Sequence, residues 1–306
     1  MRYLNNRGKS FVEPPFHRFI EFIDPGVDRF KVLNSLLPEM GLNYMVLPVA
    51  ENRHFLIFPS PSAASGALQR YRAGTVLAAH YDRVKGSPGA NDNSAAVFLL
   101  LRAAQKLKGQ DLVPWMIILT DKEELRQGQG IREQGSYSLG ETLRRGILQG
   151  AQVFIFDACG TGDTLVISTV TDTLLRNEGG LGAGHTRLVI RSLRERALLT
   201  ARNLGMNRVT LLPTPFSDDA GFLRAGISAQ IITVLPQAEA SAFASLVRSR
   251  PEFSGALISR EQAQGAETTL IPQTWRRLNT GGDTYHKLSP EHFDMVIRFA
   301  EELCKG

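Results

Sequence analysis

The chain has 306 residues, of which 43% are hydrophobic and 21% are charged, and its formal net charge is +5. This balance is typical of a globular protein with a large core. The only two cysteines, Cys159 and Cys304, lie far apart in the sequence and do not suggest a disulfide framework. No apolar run reaches the roughly 18 residues that a membrane-spanning helix needs, and the N-terminus lacks the apolar segment of a signal peptide. We therefore expect a cytoplasmic protein without a membrane partner.

The positive charges are scattered, and they are densest over residues 187–202, "RLVIRSLRERALLTAR". Apolar residues recur there at helical spacing, which predicts an amphipathic helix with a solvated basic face rather than a nucleic-acid surface. No internal repeat or low-complexity segment divides the chain. We expect one domain over residues 1–306, in which residues 1–27 form an N-terminal extension.

Apolar runs of strand length alternate with helical patterns along the chain. Helices are predicted at 28–40, ending at Gly41, at 93–109, with Asn93 or Ser94 as N-cap, and at 289–303, with Ser289 as N-cap and Pro290 in the first turn. Strands are predicted at 44–50, 54–60, 75–80, 113–121, 151–157, 164–170 and 229–236. The alternation predicts a mainly parallel α/β sheet covered by helices on both faces, a three-layer α/β/α fold.

Acidic and imidazole side chains recur where these apolar strands end. His80 ends one strand, Asp121 with Glu123 and Glu124 follows the next, and Asp157 ends a third. Ligands of open α/β sheets bind outside the carboxyl ends of the strands. We therefore expect these side chains to converge on one cleft.

The stretch "AHYDRVKGSPGANDNS" combines an imidazole with two carboxylates. The His80 imidazole is a suitable zinc ligand, and Asp82 could fix its tautomer by accepting a hydrogen bond from the other ring nitrogen. A strand-end histidine bonded to a turn aspartate would give the same pattern. Asp92 follows a Gly-Pro turn and precedes a helix, so it could bind metal or simply cap that helix.

The "TDKEEL" segment places Glu123 and Glu124 side by side after a buried strand. Adjacent carboxylates are costly there without a cation, although a solvated acidic turn would also fit. In a metal hydrolase one carboxylate binds metal and the other takes a proton from the water. Asp157 could add a further oxygen ligand or cap a turn. One imidazole and three carboxylates suit zinc, manganese or cobalt better than calcium.

The order of these motifs resembles a known family. The segments are "AHYD", "GANDNSAA", "DKEEL", "FDACGTGD", "SDDAGF" and "NTGGDTYHKL". Together they resemble the zinc-dependent M28 metallopeptidases, the superfamily of aminopeptidases and glutaminyl cyclases, over about residues 30–305. The resemblance implies a single α/β domain with a mixed sheet of about eight strands, and hydrolysis of N-terminal residues from peptide substrates.

The resemblance also implies a role for each matching residue. His80 and Asp157 match ligands of one metal, Glu124 matches a ligand of a second metal, and Asp92 matches the carboxylate that bridges the two. Glu123 matches the general base. Asp82, Asp218 and Asp283 match acidic residues that support the site, and Asp82 does so next to His80.

The last motif departs from the family pattern. Asn279 stands where the family has a histidine ligand, whereas Thr280, Asp283 and Thr284 match. A neutral amide oxygen is a poor replacement for imidazole at zinc. His286 follows nearby and is an alternative fifth ligand. We therefore predict one tightly bound metal, held by His80, Asp92 and Asp157, and a second that is weak or absent.

A longer spacer than the family usually has separates Glu124 from Gly135 and Ser136, and we expect an altered loop at the rim of the cleft. The leading functional hypothesis is a metal-dependent aminopeptidase. A glutaminyl cyclase-like acyltransferase with one zinc is the alternative enzyme, and a binding protein with a degraded metal site is the non-catalytic alternative.

Overall fold

A computed structural model of the chain describes residues 2–4, 10–12, 16–60, 72–110, 114–176, 181–250 and 269–305. The strands are β1 Arg2–Leu4, β2 Ser10–Val12, β3 Asn43–Val49, β4 Asn52–Phe58, β5 Thr75–His80, β6 Trp115–Thr120, β7 Gln152–Phe156, β8 Thr164–Ser168, β9 Val209–Leu212 and β10 Ala229–Leu235. The α-helices of these residues are α1 Phe19–Ile23, α2 Arg29–Glu39, α3 Ala95–Leu107, α4 Gly135–Leu143, α5 Val170–Arg176, α6 Leu181–Asn203, α7 Asp218–Arg224, α8 Gln237–Ser249, α9 Gln273–Arg277 and α10 Phe293–Lys305.

Eight strands form one mixed sheet in the order β3-β4-β6-β5-β7-β10-β8-β9, and β1 and β2 form a separate antiparallel pair. Neighbouring strands from β6 through β5 and β7 to β10 run parallel, whereas β3, β4 and β8 each have an antiparallel neighbour. The α/β fold and the mixed sheet of eight strands are therefore confirmed. The sequence pattern missed β9, a four-residue strand at the edge of the sheet in which three residues are partly or fully exposed and Leu212 is buried.

Alternate residues of the central strands face two different apolar cores. In β6, Trp115 and Ile117 belong to a core that also contains residues of α2, α3, α6 and α10, including Leu33, Leu99 and Phe299. Met116 and Ile118 belong to the core on the other face, with residues of α4 and α7. Helices thus cover both faces of the sheet, which confirms the three-layer architecture.

The register of the parallel strands brings the carboxyl ends of β5, β6 and β7 together. His80 pairs with Thr120, and Ala78 pairs with Ile155. The segments that follow these strands therefore leave the sheet at the same edge. This places His80 beside the residues after Thr120 and Phe156.

The predicted helix at 28–40 is α2, with Asp28 accepting a hydrogen bond from the backbone N–H of Lys31. Ser94, one of the two expected N-caps, lies at the N-cap position of α3. A distorted turn, Ala90–Ser94, precedes α3, and Ser94 makes no capping hydrogen bond. Its hydroxyl instead bonds the carbonyl of Gly89 at 2.5 Å. The sequence pattern did not predict these side-chain bonds, because Asn93 also donates to Phe156 and Ser94 also accepts from Arg29, both far away in sequence.

At the C-terminus, Pro290 lies in the first turn of a 3₁₀ segment that leads into α10, as expected. Ser289 is the N-cap residue of that segment, as expected, but its side chain makes no capping bond. Its hydroxyl accepts a hydrogen bond from the backbone N–H of Gly162 instead.

The basic run lies on α6, as predicted. Ile190, Leu193 and Ala197 are buried, whereas Leu188 is exposed. Near the N-terminus, Phe19 of α1 is fully buried in the same core as α2 and α3. Within the described residues no helix combines the length and the apolar character needed to cross a bilayer.

Candidate metal centre

His80, Asp92 and Asp157 meet where β5 and β7 end. The Nε2 atom of His80 lies 3.1 Å from Asp92 Oδ1 and 3.9 Å from Asp157 Oδ2. One ligand atom from each of the three residues lies within 4.8 Å of the other two. His80 with Glu123 and Glu124 forms a second such group. The structure therefore brings together all four predicted metal ligands and the predicted general base.

Asp82 connects the histidine to the two glutamates. Its Oδ1 lies 3.4 Å from His80 Nδ1, and its two oxygens accept hydrogen bonds from the backbone N–H groups of Glu123 at 3.1 Å and Glu124 at 3.0 Å. Burial opposes ionisation of Asp82, but His80 and these donors outweigh burial and lower its pKa. One carboxylate thus orients both the imidazole and the turn that carries the glutamates.

Two asparagine side chains fix the turn around Asp92. The side-chain oxygen of Asn91 accepts a hydrogen bond from the backbone N–H of Gly160 at 2.7 Å. Asn93 donates to the carbonyl of Phe156 at 2.8 Å and accepts from the N–H of Ala158 at 3.2 Å. These bonds tie the turn to the segment that carries Asp157. Sequence reasoning missed both roles, although both asparagines flank Asp92.

Asp283 holds the same turn from the other side. Its carboxylate accepts hydrogen bonds from the backbone N–H groups of Asn91 and Asp92, each at 2.9 Å. Burial raises the pKa of Asp283 to about 6, despite these two donors. Asp283 therefore fixes the backbone of the turn at Asp92, which is compatible with the supporting role predicted for it.

Arg29 of α2 links the loop that carries Asp82 to the start of the Asp92 turn by hydrogen bonds. Its buried guanidinium donates to the carbonyls of Tyr81 and Asp82, both at 3.0 Å, and of Pro88 at 2.8 Å, and to the Ser94 hydroxyl at 2.7 Å. Burial lowers its pKa to about 9. Its position in an amphipathic helix gave no sign of this role, since arginine is mostly exposed in such patterns.

Glu123 is buried and held by a residue of the long spacer. The side-chain Nε2 of Gln134 donates to Glu123 Oε1 at 2.9 Å. Burial, and then the charge of the adjacent Glu124, raise the pKa of Glu123 well above its ordinary value. A raised pKa is suited to a general base that operates near neutral pH. The sequence gave no signal for Gln134, because the fold alone brings it to Glu123.

Asp218 lies behind the same group, at the start of α7. It is fully buried and accepts a hydrogen bond from the hydroxyl of Thr120. Burial raises the pKa of Asp218 to about 6, although His80 and Thr120 oppose the shift. The neighbouring Asp219 was not singled out from the sequence, and burial raises its pKa to about 7.

The side chains present fit a divalent cation. Both ring nitrogens of His80 and the Oδ1 atom of Asp157 are buried and have no hydrogen-bond partner among the residues that the structure describes. Burial alone would lower the pKa of His80, but the carboxylates of Asp157, Asp82 and Asp92 outweigh it and raise that pKa strongly. One imidazole nitrogen and several carboxylate oxygens form a donor set that zinc accepts.

The sequence matches the model of peptidase family M28 over residues 66–299. The chain belongs to peptidase family M28. No curated protein matches the M28 chain.

Solved structures with low sequence identity share the fold of this M28 chain. A leucine aminopeptidase precursor from Bacteroides thetaiotaomicron VPI-5482 is 14% identical with a TM-score of 0.62, over 94% of this chain and 93% of that one. A glutaminyl cyclase from Bacteroides thetaiotaomicron, bound to N-acetylhistamine, is 15% identical with a TM-score of 0.61, over 94% of each chain. BSAP, a zinc aminopeptidase from Bacillus subtilis, is 20% identical with a TM-score of 0.53. That match covers 82% of this chain but 48% of BSAP, so the M28 chain spans about half the length of BSAP.

The two candidates for a fifth ligand are both exposed. Asn279 has a left-handed backbone conformation, with φ at 62°. His286 stacks near the ring of Tyr285, at 3.8 Å between centroids. Within the described part of the M28 chain, the groups of histidine, cysteine and acidic residues that could hold a metal include no imidazole besides His80.

Beside Glu124 lies a cavity of about 880 Å³. Its walls come from the turn at Glu51, the segment after Asp82 and the start of the long spacer, including Arg126. The spacer thus lies at the rim of the site, where an altered loop was expected.

Proposed function

We propose that this M28 chain is a metal-dependent aminopeptidase that hydrolyses N-terminal residues from peptides. The observation that carries the proposal is the placement of Glu123. It lies in the same group as His80 and Glu124, while Gln134 and the backbone contact to Asp82 fix its orientation. A carboxylate so held is suited to move a proton beside a metal site.

A bound zinc would polarise the scissile carbonyl and lower the pKa of a water molecule. The chain's own residues supply the rest. Gln134 donates to Oε1 of Glu123 and orients the carboxylate, which takes the proton of the attacking water. Glu123 then delivers that proton to the leaving amine. The surrounding carboxylates also attract the positively charged N-terminus of a peptide.

Replacing Glu123 with glutamine tests this role. Glutamine keeps the size of the side chain but cannot take a proton, so we expect kcat to fall by about 10²–10⁴-fold. Because the ligands His80, Asp92 and Asp157 remain, zinc content should not change. The checks are hydrolysis of leucine-initiated peptides and metal analysis of the purified variant. Activity equal to that of the wild type would refute the assignment.

A glutaminyl cyclase-like activity is the second candidate. The observation that favours it is the single imidazole, His80, in the described metal-binding groups, since one metal suffices for cyclisation. In that reaction the N-terminal amine of the substrate attacks its own glutamine side chain and ammonia leaves. Product masses from glutamine-initiated and leucine-initiated peptides separate the two activities. Loss of ammonia without loss of a residue would identify a cyclase, whereas zinc-dependent stabilisation without turnover of either peptide would identify a binding protein.

A further inference from the structure

Four basic and four acidic residues line the cavity beside Glu124. Its basic lining residues are Arg83, Lys85, Lys122 and Arg126. Arg83 is already engaged, because its guanidinium donates to the carbonyl of Ile23 at 2.9 Å. Lys85, Lys122 and Arg126 form no ion pair with any residue in the described part of the chain.

The acidic residues of the same lining form no described ion pair with Lys85, Lys122 or Arg126. Both oxygens of Asp82 accept backbone hydrogen bonds, and Asp121 accepts one from the N–H of Arg53 at 3.1 Å. Glu124 belongs to the candidate metal group. Glu51 lies on the turn between β3 and β4 and pairs with none of the three free cations among the described contacts. An anionic ligand could therefore pair with Lys85, Lys122 or Arg126 without breaking a described ion pair.

Lys122 is fixed in place by the turn that also positions Glu123. Its backbone adopts a left-handed conformation, with φ at 60°. A non-glycine residue keeps this conformation only where neighbouring contacts enforce it. Here the carbonyl of Lys122 accepts a hydrogen bond from the N–H of Gly135 at 2.9 Å, and the next N–H, of Glu123, is bound to Asp82. The side chain of Lys122 thus lines the cavity one residue away from the proposed general base.

We propose that this cavity binds a carboxylate of the peptide substrate, and that Lys122 and Arg126 determine this specificity. The inference rests on the proposed peptidase function. The Lys122 ammonium and the Arg126 guanidinium, both in the cavity lining, match a carboxylate in charge and in hydrogen-bonding capacity. The carboxylate can come from an acidic N-terminal residue, an acidic second residue, or the free C-terminus of a dipeptide.

Three pairs of substrates distinguish these sources. They are Asp-Ala-Ala amide against Asn-Ala-Ala amide, Leu-Asp-Ala amide against Leu-Asn-Ala amide, and Leu-Ala against Leu-Ala amide. Within each pair only one carboxylate becomes an amide. We expect at least one pair to show a kcat/KM ratio of about tenfold in favour of the acid, decreasing with added salt. Lys122→Met and Arg126→Met should each lower that ratio, and the double variant should bring it close to one, whereas Lys122→Arg should retain it.

The matched control is Lys31→Met, which removes the same charge from an 82% exposed side chain on α2, outside the cavity lining. It should leave the acid-to-amide ratio at its wild-type value. Calorimetric binding of the same six peptides to the Glu123→Gln protein, with and without Lys122→Met, supplies a readout that does not depend on turnover.

These measurements separate failure of the inference from failure of the proposed function. Hydrolysis with equal kcat/KM for acid and amide in all three pairs would overturn the inference and leave the peptidase intact. A preference that survives the Lys122→Met, Arg126→Met double variant would also overturn it. Tighter binding of one acid, lost on replacing Lys122, would support the inference even if the wild type cleaved none of the peptides, and only the peptidase proposal would then fail.

Discussion

Buried carboxylates dominate the site at the scale of single residues. Burial raises the pKa values of Asp92, Asp218 and Asp283, and that of Glu123 rises further through the charge of Glu124. Each negative charge makes the next more costly. A divalent cation at the site would offset this repulsion at Asp92 and Glu123, whereas Asp218 and Asp219 do not belong to the described groups that could hold a metal.

The burial of Asp219 should have a measurable effect on the stability of the fold. Burial raises its pKa from an ordinary value of 3.8 to about 7, so between these two values the folded state holds a proton that the unfolded state has lost. The free energy of unfolding therefore decreases as pH rises from about 4 to 7, with a slope of at most about 1.4 kcal/mol per pH unit from this group. Asp219→Asn should flatten that decrease, because the amide oxygen still accepts the N–H of Ser217 but does not ionise.

Urea unfolding across this pH range, in the presence of a chelator, measures the effect. Asp294→Asn is the control, since that side chain is 69% exposed on α10 and its change should leave the pH dependence unaltered. A wild-type slope that persists unchanged in the Asp219 variant would show that other groups cause it.

Gln134 provides a second test among single residues. Its donated hydrogen bond favours the charged form of Glu123, so Gln134→Leu should raise the pKa of that base. The acid limb of the pH profile of kcat/KM should then move to higher pH, and kcat should fall by about tenfold. Gln149→Leu, the same exchange at an exposed residue outside the cavity lining, is the control. An unmoved acid limb in the Gln134 variant would contradict the role.

At the scale of elements, the buried strands were the most predictable part of the fold. Residues 75–80 were predicted as a strand with His80 at its end, and β5 has those bounds. The signal was clear because an unbroken apolar run of this length is typical of a strand that is buried on both faces of a sheet. The four-residue edge strand β9 carried no such signal. Ser94 was correctly assigned to the N-cap position of α3. The hydrogen bonds of Asn93 to Phe156 and of Ser94 to Arg29 join residues far apart in sequence, so local patterns gave no basis for predicting them.

The same limit applied to the site. His80, Glu124 and Asp157 were visible as polar residues at or after the ends of apolar strands, and register brings His80 and Asp157 together. Asp92 was visible only as a polar residue in the turn before a helix. Gln134 and Arg29 act through contacts that arise only when helices pack on the sheet. Asn279 was recognised as a departure from the family pattern, but its exposure required the structure.

Two helical glycines test how closely α4 and α7 are packed. A β-carbon on Gly221 of α7 would lie 2.2 Å from Ser136 Oγ and 2.8 Å from the backbone nitrogen of Tyr137. Gly221→Ala should therefore destabilise the protein by about 1–3 kcal/mol, through overpacking. Gly184 of α6 has open space at the same position, so Gly184→Ala should stabilise it by up to about 1 kcal/mol, through helix propensity.

Thermal unfolding of the two variants measures these opposite effects. Because the clash at Gly221 also involves the side-chain oxygen of Gln134, at 2.7 Å, the Gly221 variant should lose activity below its melting temperature as well. Equal melting temperatures for the two variants would show that α4 and α7 can separate without cost.

At the scale of the whole molecule, a metal at the site would join segments that are distant in sequence. His80 ends β5, Asp92 precedes α3, and Asp157 follows β7, so a cation bound by all three exists only in the folded chain. Zinc at about 1,000 times its Kd would therefore stabilise the fold by about 4 kcal/mol, a rise in melting temperature of about 6 °C. Asp157→Asn should abolish most of this rise, whereas the surface variant Asp294→Asn should retain it.

The stoichiometry follows from the unequal donor sets. His80, Asp92 and Asp157 can serve one metal, whereas a second metal at Glu124 would share those groups without an imidazole of its own among the described residues. We expect one zinc per chain after dialysis, and a second equivalent that binds only at much higher concentration. Asn279→His should not raise the tightly bound number, because residue 279 is exposed on a left-handed turn. Metal analysis with calorimetric titration decides this, and two equivalents retained by the wild type would overturn the single-metal prediction.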